Sequence, residues 1–273
     1  MRRYLWNETD IKESRLVFHG TGKEMFKGFI IAYLILGALY AGFFWSQSNP
    51  DYAFYFLIAF YIALIIIMPL AIFGAWSYRV TRTSWRGIYM GFDGNFKKFL
   101  GLYFQNIVLV IVTFGLYMPW FRVEIMKFLF GHTLIGKNRL GFVGNGGTLF
   151  GINIIGGILS VFTLYLYLPV YYKNLVNFTI NNAIVDNGEK KMRFKSHLSG
   201  SEAWTTLVTN FLLIIFTLGI GFAWATIRQL RMILENIEIP SNLDFDNLEQ
   251  ADKGTIDATG DELVDILDIG LDF

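Results

Sequence analysis

No cysteine occurs among the 273 residues of this chain. That excludes disulfides, thiolate nucleophiles and cysteine-based metal sites, and says nothing about compartment. Charge is scarce: Asp, Glu, Lys and Arg make up 16% of the residues, against about a quarter in soluble domains. Catalytic motifs are missing too, with no Gly-x-Ser-x-Gly or His-Glu-x-x-His string. The stretch from Gly20 to Glu24 looks like the end of a phosphate loop, but Val17 stands where the first glycine belongs and Glu24 where a Ser or Thr belongs. His19, His132 and His197 have no metal-ligand spacing. Acidic residues are almost absent from the expected membrane region, Glu124 and Glu235 apart. These absences predict no enzyme, no metal and no cofactor, and nothing marks a nucleic-acid binder.

What the chain has in quantity is apolar and aromatic residues: 54% are hydrophobic, with 27 Phe and 14 Tyr. Uncharged stretches cover residues 28–49, 52–78, 99–121, 140–172 and 203–227, each at or above the roughly 20 residues that cross a hydrocarbon core. The polar start, MRRYLWNETDIKESR, is followed by no short apolar region with a small-residue cleavage site, so the first apolar segment reads as a retained anchor. Charge is asymmetric. From Pro240 to Phe273 ten acids face Lys253 alone, a net of −9, which leaves +10 on residues 1–239. A basic body with an acidic appendage is expected, the appendage flexible or folded back on basic connectors.

The string from Thr113 to Phe121, TFGLYMPWF, returns as TLYLYLPVY (163–171) and TLGIGFAWA (217–225), at offsets of 50 and 54 residues. Phe-x-Gly triplets at 18–20, 92–94 and 142–144 recur in step. The reading is four internal repeats, roughly 18–91, 92–141, 142–193 and 194–239, each a helical hairpin broken at the Thr string. Alternation around Gly-Lys-Asn and Asp-Asn-Gly in the connectors predicts small β-hairpins. Basic residues gather at the N-terminus, between Arg79 and Lys98, at Lys137 and Arg139, and between Lys190 and Lys195, whereas the link 46–51 and the Thr turns have none. By the positive-inside rule all connectors are cytoplasmic. The expected fold is therefore an all-α polytopic membrane protein: about eight membrane helices in four pseudo-repeats, β-hairpin connectors on the cytoplasmic side, both termini inside. Its parts are a cytoplasmic N-terminal segment (1–17), a repeat-built membrane domain (18–239) and an acidic cytoplasmic tail (240–273).

Aligning the repeats stacks polar positions along each second helix: Glu124, Asn174 and Arg228; Lys127, Asn177 and Arg231; Gly131, Asn181 and Glu235. Spacings of three and four share a helical face. Glu124, Lys127, Asn174, Asn177, Arg228 and Arg231 are thus candidates for lining a polar pathway, or else interfacial residues whose charges snorkel. Gln105, Asn106, Asn153 and Asn210 read as hydrogen-bonding glue between first helices, with Gly147, Gly151, Gly156 and Gly157 allowing close approach. Arg79, Arg82 and Arg86 flank Trp85, a set that either binds anionic head groups or anchors the chain at the interface.

Tyr78 to Gly94, YRVTRTSWRGIYMGFDG, with GLYMPWFRVEIMKF and TLGIGFAWATIRQLRM, resembles the YjgN family of bacterial inner-membrane proteins, a domain of unknown function. The resemblance covers roughly residues 16–239 and implies a multi-pass protein of the bacterial inner membrane, in contact with lipids. It supplies no reaction or ligand. Two roles remain open from the sequence: a channel- or transporter-like conduit for a small polar or anionic solute, and a non-transporting scaffold or head-group binder. The acidic tail is the expected contact for a protein partner or a second copy.

Overall fold

In the computed structural model the described residues are 10–11, 14–47, 50–188 and 190–240. Most of the expected N-terminal segment, and the tail after Pro240, lie outside them. The described chain falls into two compact units, one up to Met90 and one from Gly91 on.

The first unit contains β1 (Asp10–Ile11), β2 (Ser14–Phe18), α1 (Gly22–Gln47), α2 (Pro50–Thr81), β3 (Thr83–Trp85) and most of β4 (Ile88–Phe92). The two helices pack on one another. The strands run antiparallel, with Val17 opposite Ser84 and Ser84 opposite Tyr89. Their tight turn is Arg86–Gly87, both at positive φ (50° and 79°), the backbone of a two-residue hairpin loop.

The second unit holds three helix pairs separated by short strands. They are α3 (Phe96–Val112) with α4 (Met118–Gly131), α5 (Gly146–Phe162) with α6 (Leu168–Asn181), and α7 (Gly200–Phe216) with α8 (Phe222–Glu235). Between them lie β5 (Thr133–Ile135) and β6 (Asn138–Phe142), then β7 (Ala183–Asp186), β8 (Lys191–Arg193) and β9 (Lys195–Ser196); β10 (Ile237–Glu238) closes on β9. Each helix packs on the next in sequence, and β5 to β8 pair in order, all antiparallel.

Local chemistry explains the regularity. Asn95, Asn145 and Ser199 cap the first helix of each pair through side-chain oxygens that accept backbone N–H groups, and Ser199 forms a capping box with Glu202. Pro119 and Pro169 sit in the first turn of α4 and α6, where a missing N–H costs nothing. The Phe-x-Gly triplets are packing units: a Cβ on Gly20, Gly94 or Gly144 would lie 2.4 to 2.5 Å from the ring of Phe18, Phe92 or Phe142, so each phenylalanine folds over its glycine. Phe142 then joins Val123, Leu149 and Phe178 in a core between the strands and the helices.

The expectation of an all-α protein with eight membrane helices does not stand. Among the described residues one stretch, Tyr52–Thr81, is long and apolar enough to cross a membrane. The first helices of the three pairs have 17 residues and the second 14, a rise of about 26 and 21 Å against the roughly 30 Å of a hydrocarbon core. Uncharged length misled in the second unit because the stretches 99–121, 140–172 and 203–227 each contain a turn as well as helix. The antiparallel strands also take the chain out of the all-α class.

Candidate functional site

The three Thr turns have a common construction. Thr113 closes α3: its hydroxyl donates to the Leu109 carbonyl (2.7 Å) and accepts the Tyr117 N–H (3.0 Å). Thr163 does the same with Leu159 and Tyr167, and Thr217 with Leu213 and Gly221. Two residues further on, the Gly115, Tyr165 and Gly219 N–H groups return to the carbonyls of Val110, Ser160 and Ile214 at 2.8, 2.6 and 2.8 Å, a Schellman-type closure. Little of the turn backbone is left for water.

The side chains point the other way. Phe114, Leu164 and Leu218, the residues after each threonine, are 97%, 84% and 94% exposed. Leu116, Leu166 and Ile220 are exposed as well. Phe114, Leu164, Tyr165 and Leu218 all hold positive φ, between 50° and 68°, a region disfavoured for residues carrying a Cβ. Because every helix pair leaves its strands and returns to them, the three tips lie at the end of the second unit away from β5 to β8. As sequence these strings read as breaks in helical hairpins, which leaves the course of their side chains open. The signal was there: turns rich in Phe, Leu and Tyr, with none of the Asn, Asp or Ser that aqueous turns favour.

The six pathway candidates lie on three helices, α4, α6 and α8. Glu124 and Lys127 on α4 form an ion pair with each other at 2.8 Å. On α6, Asn177 accepts from the Ser196 hydroxyl (2.6 Å) and donates to the Leu198 carbonyl (3.2 Å), fixing the connector before α7; Asn174 is half-buried. Arg228 on α8 donates to the Thr209 hydroxyl of α7 (3.1 Å), and Arg231 is exposed. Among the described residues no hydrogen bond joins one of these stripes to another.

In the first unit Arg79, Arg82 and Arg86 are exposed at the end of α2 and in the following hairpin. Trp85 is not an interfacial belt residue: it is 4% exposed, and the Arg86 guanidinium lies 4.8 Å from its ring centroid. Backbone contacts fix the segment, with the Thr83 hydroxyl donating to the Arg79 carbonyl and His19 N–H to the Arg82 carbonyl. His19 Nε2 is 2.7 Å from Ser84 Oγ. Where the first unit sets His19 against the Tyr89 ring, the second sets Asp93 against Arg139, which also donates to the Gly131 carbonyl. At the chain's exit, His197 hydrogen-bonds Glu238 at 2.7 Å; that bond and the nearby Lys195 charge hold the Glu238 carboxyl below its ordinary pKa. Among the described residues no three His, Asp or Glu side chains are placed to hold a metal ion.

A family model described as a bacterial protein of unknown function (DUF898) matches residues 1–104, 89–159 and 155–266. No curated protein and no solved structure matches the chain.

Proposed function

The chain belongs to the bacterial DUF898 family, to which the YjgN resemblance also points, and on that premise we propose that it is a membrane-anchored, non-catalytic scaffold of the bacterial inner membrane. Helix α2 is its span, and the three apolar turn tips dip into lipid. Anionic head groups sit near Arg79, Arg82 and Arg86.

One observation carries this reading: uncovered apolar side chains on a turn backbone that satisfies itself. Placing Phe114 or Leu218 at positive φ costs about 1–2 kcal/mol per residue; the Schellman-type closure uses that backbone, but the side chains, almost fully exposed, gain no packing within the protein. Burying such a side chain in hydrocarbon returns about 1.5–3 kcal/mol. A non-aqueous surrounding favours the exposed apolar side chains, and in hydrocarbon a backbone with few open polar groups is required. The conduit reading has less behind it, because Glu124 neutralises Lys127 and Asn177 is occupied by the connector.

The absence of native cysteine makes the test clean. Single cysteines at 114, 164 and 218, and at 137 as a control on the strand side, are labelled with an environment-sensitive fluorophore and the protein is placed in vesicles. Labels at the three tips should shift to the blue and be quenched by lipids brominated in their acyl chains, while position 137 stays water-like. Water-like emission at all three tips would overturn the reading.

A further inference from the structure

Exposed side chains on the helix pairs of the second unit change character at a set distance from the Thr turns. On α3 every exposed residue between Gln105 and Thr113 is apolar, Val108 and Val112 among them. The same holds on α7 between Thr209 and Thr217, and on α5 between Asn153 and Thr163 apart from Gly157. These stretches rise about 12–15 Å along their helices. On the returning helices a cation ends the band. Arg122 is the first charged residue of α4, Lys173 of α6 and Arg228 of α8. Each lies about 6–9 Å along its helix from the turn, a distance that a long basic side chain extends.

Among the described residues none of these three cations enters an ion pair. Helix α6 contains no acid at all, and Arg228 is held by the neutral Thr209 hydroxyl. An apolar band closed by cations without acidic partners matches a section through one leaflet, about 15 Å of hydrocarbon bounded by phosphates. A full crossing calls for roughly 30 Å of apolar exposure and would carry Arg122, Lys173 and Arg228 into hydrocarbon, where charge is costly.

We propose that the second unit enters a single leaflet, its apolar band among the acyl chains and Arg122, Lys173 and Arg228 on the phosphates of anionic phospholipids at the leaflet's surface. This rests on the reading that the turn tips enter lipid, and gives that reading a depth and a second set of contacts.

Single cysteines at 155, in the band of α5, and at 164, at its tip, are labelled with the same fluorophore, and the full chain is placed in vesicles whose lipids carry bromine either near the head group or near the chain ends. Entry into one leaflet means that bromine at the chain ends quenches the tip label best, and bromine near the head group the label at 155. In a full crossing the order reverses while both labels stay in lipid, which overturns the proposal and leaves the reading of the tips intact. A label at 155 that neither lipid quenches makes the cover a second copy of the chain and overturns the proposal as well. Water-like emission at 164 overturns both. The cations are tested with spin-labelled phosphatidylglycerol against spin-labelled phosphatidylcholine. The variant Arg122→Gln/Lys173→Gln/Arg228→Gln should show about fivefold less preference for the anionic lipid than the wild type, whereas Arg122→Lys/Arg228→Lys should keep it. Thermal unfolding in detergent shows whether each variant is folded, and equal preference in the wild type and a folded glutamine variant would overturn the phosphate contacts.

Discussion

Glycine 156 shows how the helix pairs are matched residue by residue. A Cβ there would fall 2.1 Å from the Tyr171 ring, so α5 gives up a side chain where α6 supplies a large one, whose hydroxyl donates to Asn153 (3.1 Å). In the last pair the exchange is reversed: at the corresponding places α7 carries Asn210 and α8 the small Ala225, whose carbonyl accepts from the Asn210 amide at 3.0 Å. Gly156→Ala should therefore destabilise by about 1–3 kcal/mol through overpacking, read as a lowered midpoint of thermal unfolding in detergent. Adding Tyr171→Leu should recover part of the loss, and a Gly156→Ala protein as stable as the wild type would contradict the packing. The sequence announced close approach at glycines 147, 151, 156 and 157 alike, but Gly151 and Gly157 face open space. A string of residues states that a helix carries glycine; which glycine meets a neighbour depends on how the helix is rotated in its layer, and that is fixed by contacts far apart in sequence.

At the scale of the element, the proposed insertion would set the Thr turn's stability against its exposure. Its threonine hydroxyl bridges two helices and its next residue holds a left-handed backbone with an apolar side chain pointing out. Glycine adopts that backbone without the steric penalty. Leu218→Gly is thus expected to raise stability in detergent by about 1 kcal/mol, while a fluorophore at position 220 loses part of its blue shift in vesicles. A substitution that leaves both unchanged would mean that the left-handed leucine neither costs nor contributes anything. Much of this element was legible: the proline after the turn, the uncharged string and the β-hairpins around Lys137 and Asn187 all lie where their residue types put them. The outward course of its apolar side chains was not, since a covered turn and an exposed one look alike in one dimension. Only the exposure of Phe114, Leu164 and Leu218 separates them.

For the whole molecule, the proposed anchoring has two independent parts, and magnitudes say that either is sufficient. Counting a single large apolar residue per tip at about 1.5–3 kcal/mol, three tips supply roughly 4–9 kcal/mol, equivalent to a millimolar to micromolar dissociation constant. A charge at the centre of a span costs about 2.5–3.5 kcal/mol, so Ile65→Arg with Ile66→Arg removes much of what α2 contributes. Uncharged length could not reveal this division of labour: residues 52–78 and 99–121 look equivalent as strings, yet the first is one helix and the second is most of a helix, a turn and the start of another. The arginine pair in α2 should leave the protein in the membrane pellet after alkaline carbonate extraction, held by its tips. Phe114→Asp/Leu164→Asp/Leu218→Asp should also stay in the pellet, held by α2. The chain carrying all five substitutions should be extracted more readily than either partial variant, α1 with its uncharged residues 28–47 being left intact, and size-exclusion chromatography of the solubilised protein shows whether it is still folded. Release by the arginine pair alone would mean that the tips hold nothing; release by the three aspartates alone would mean that α2 is not a span.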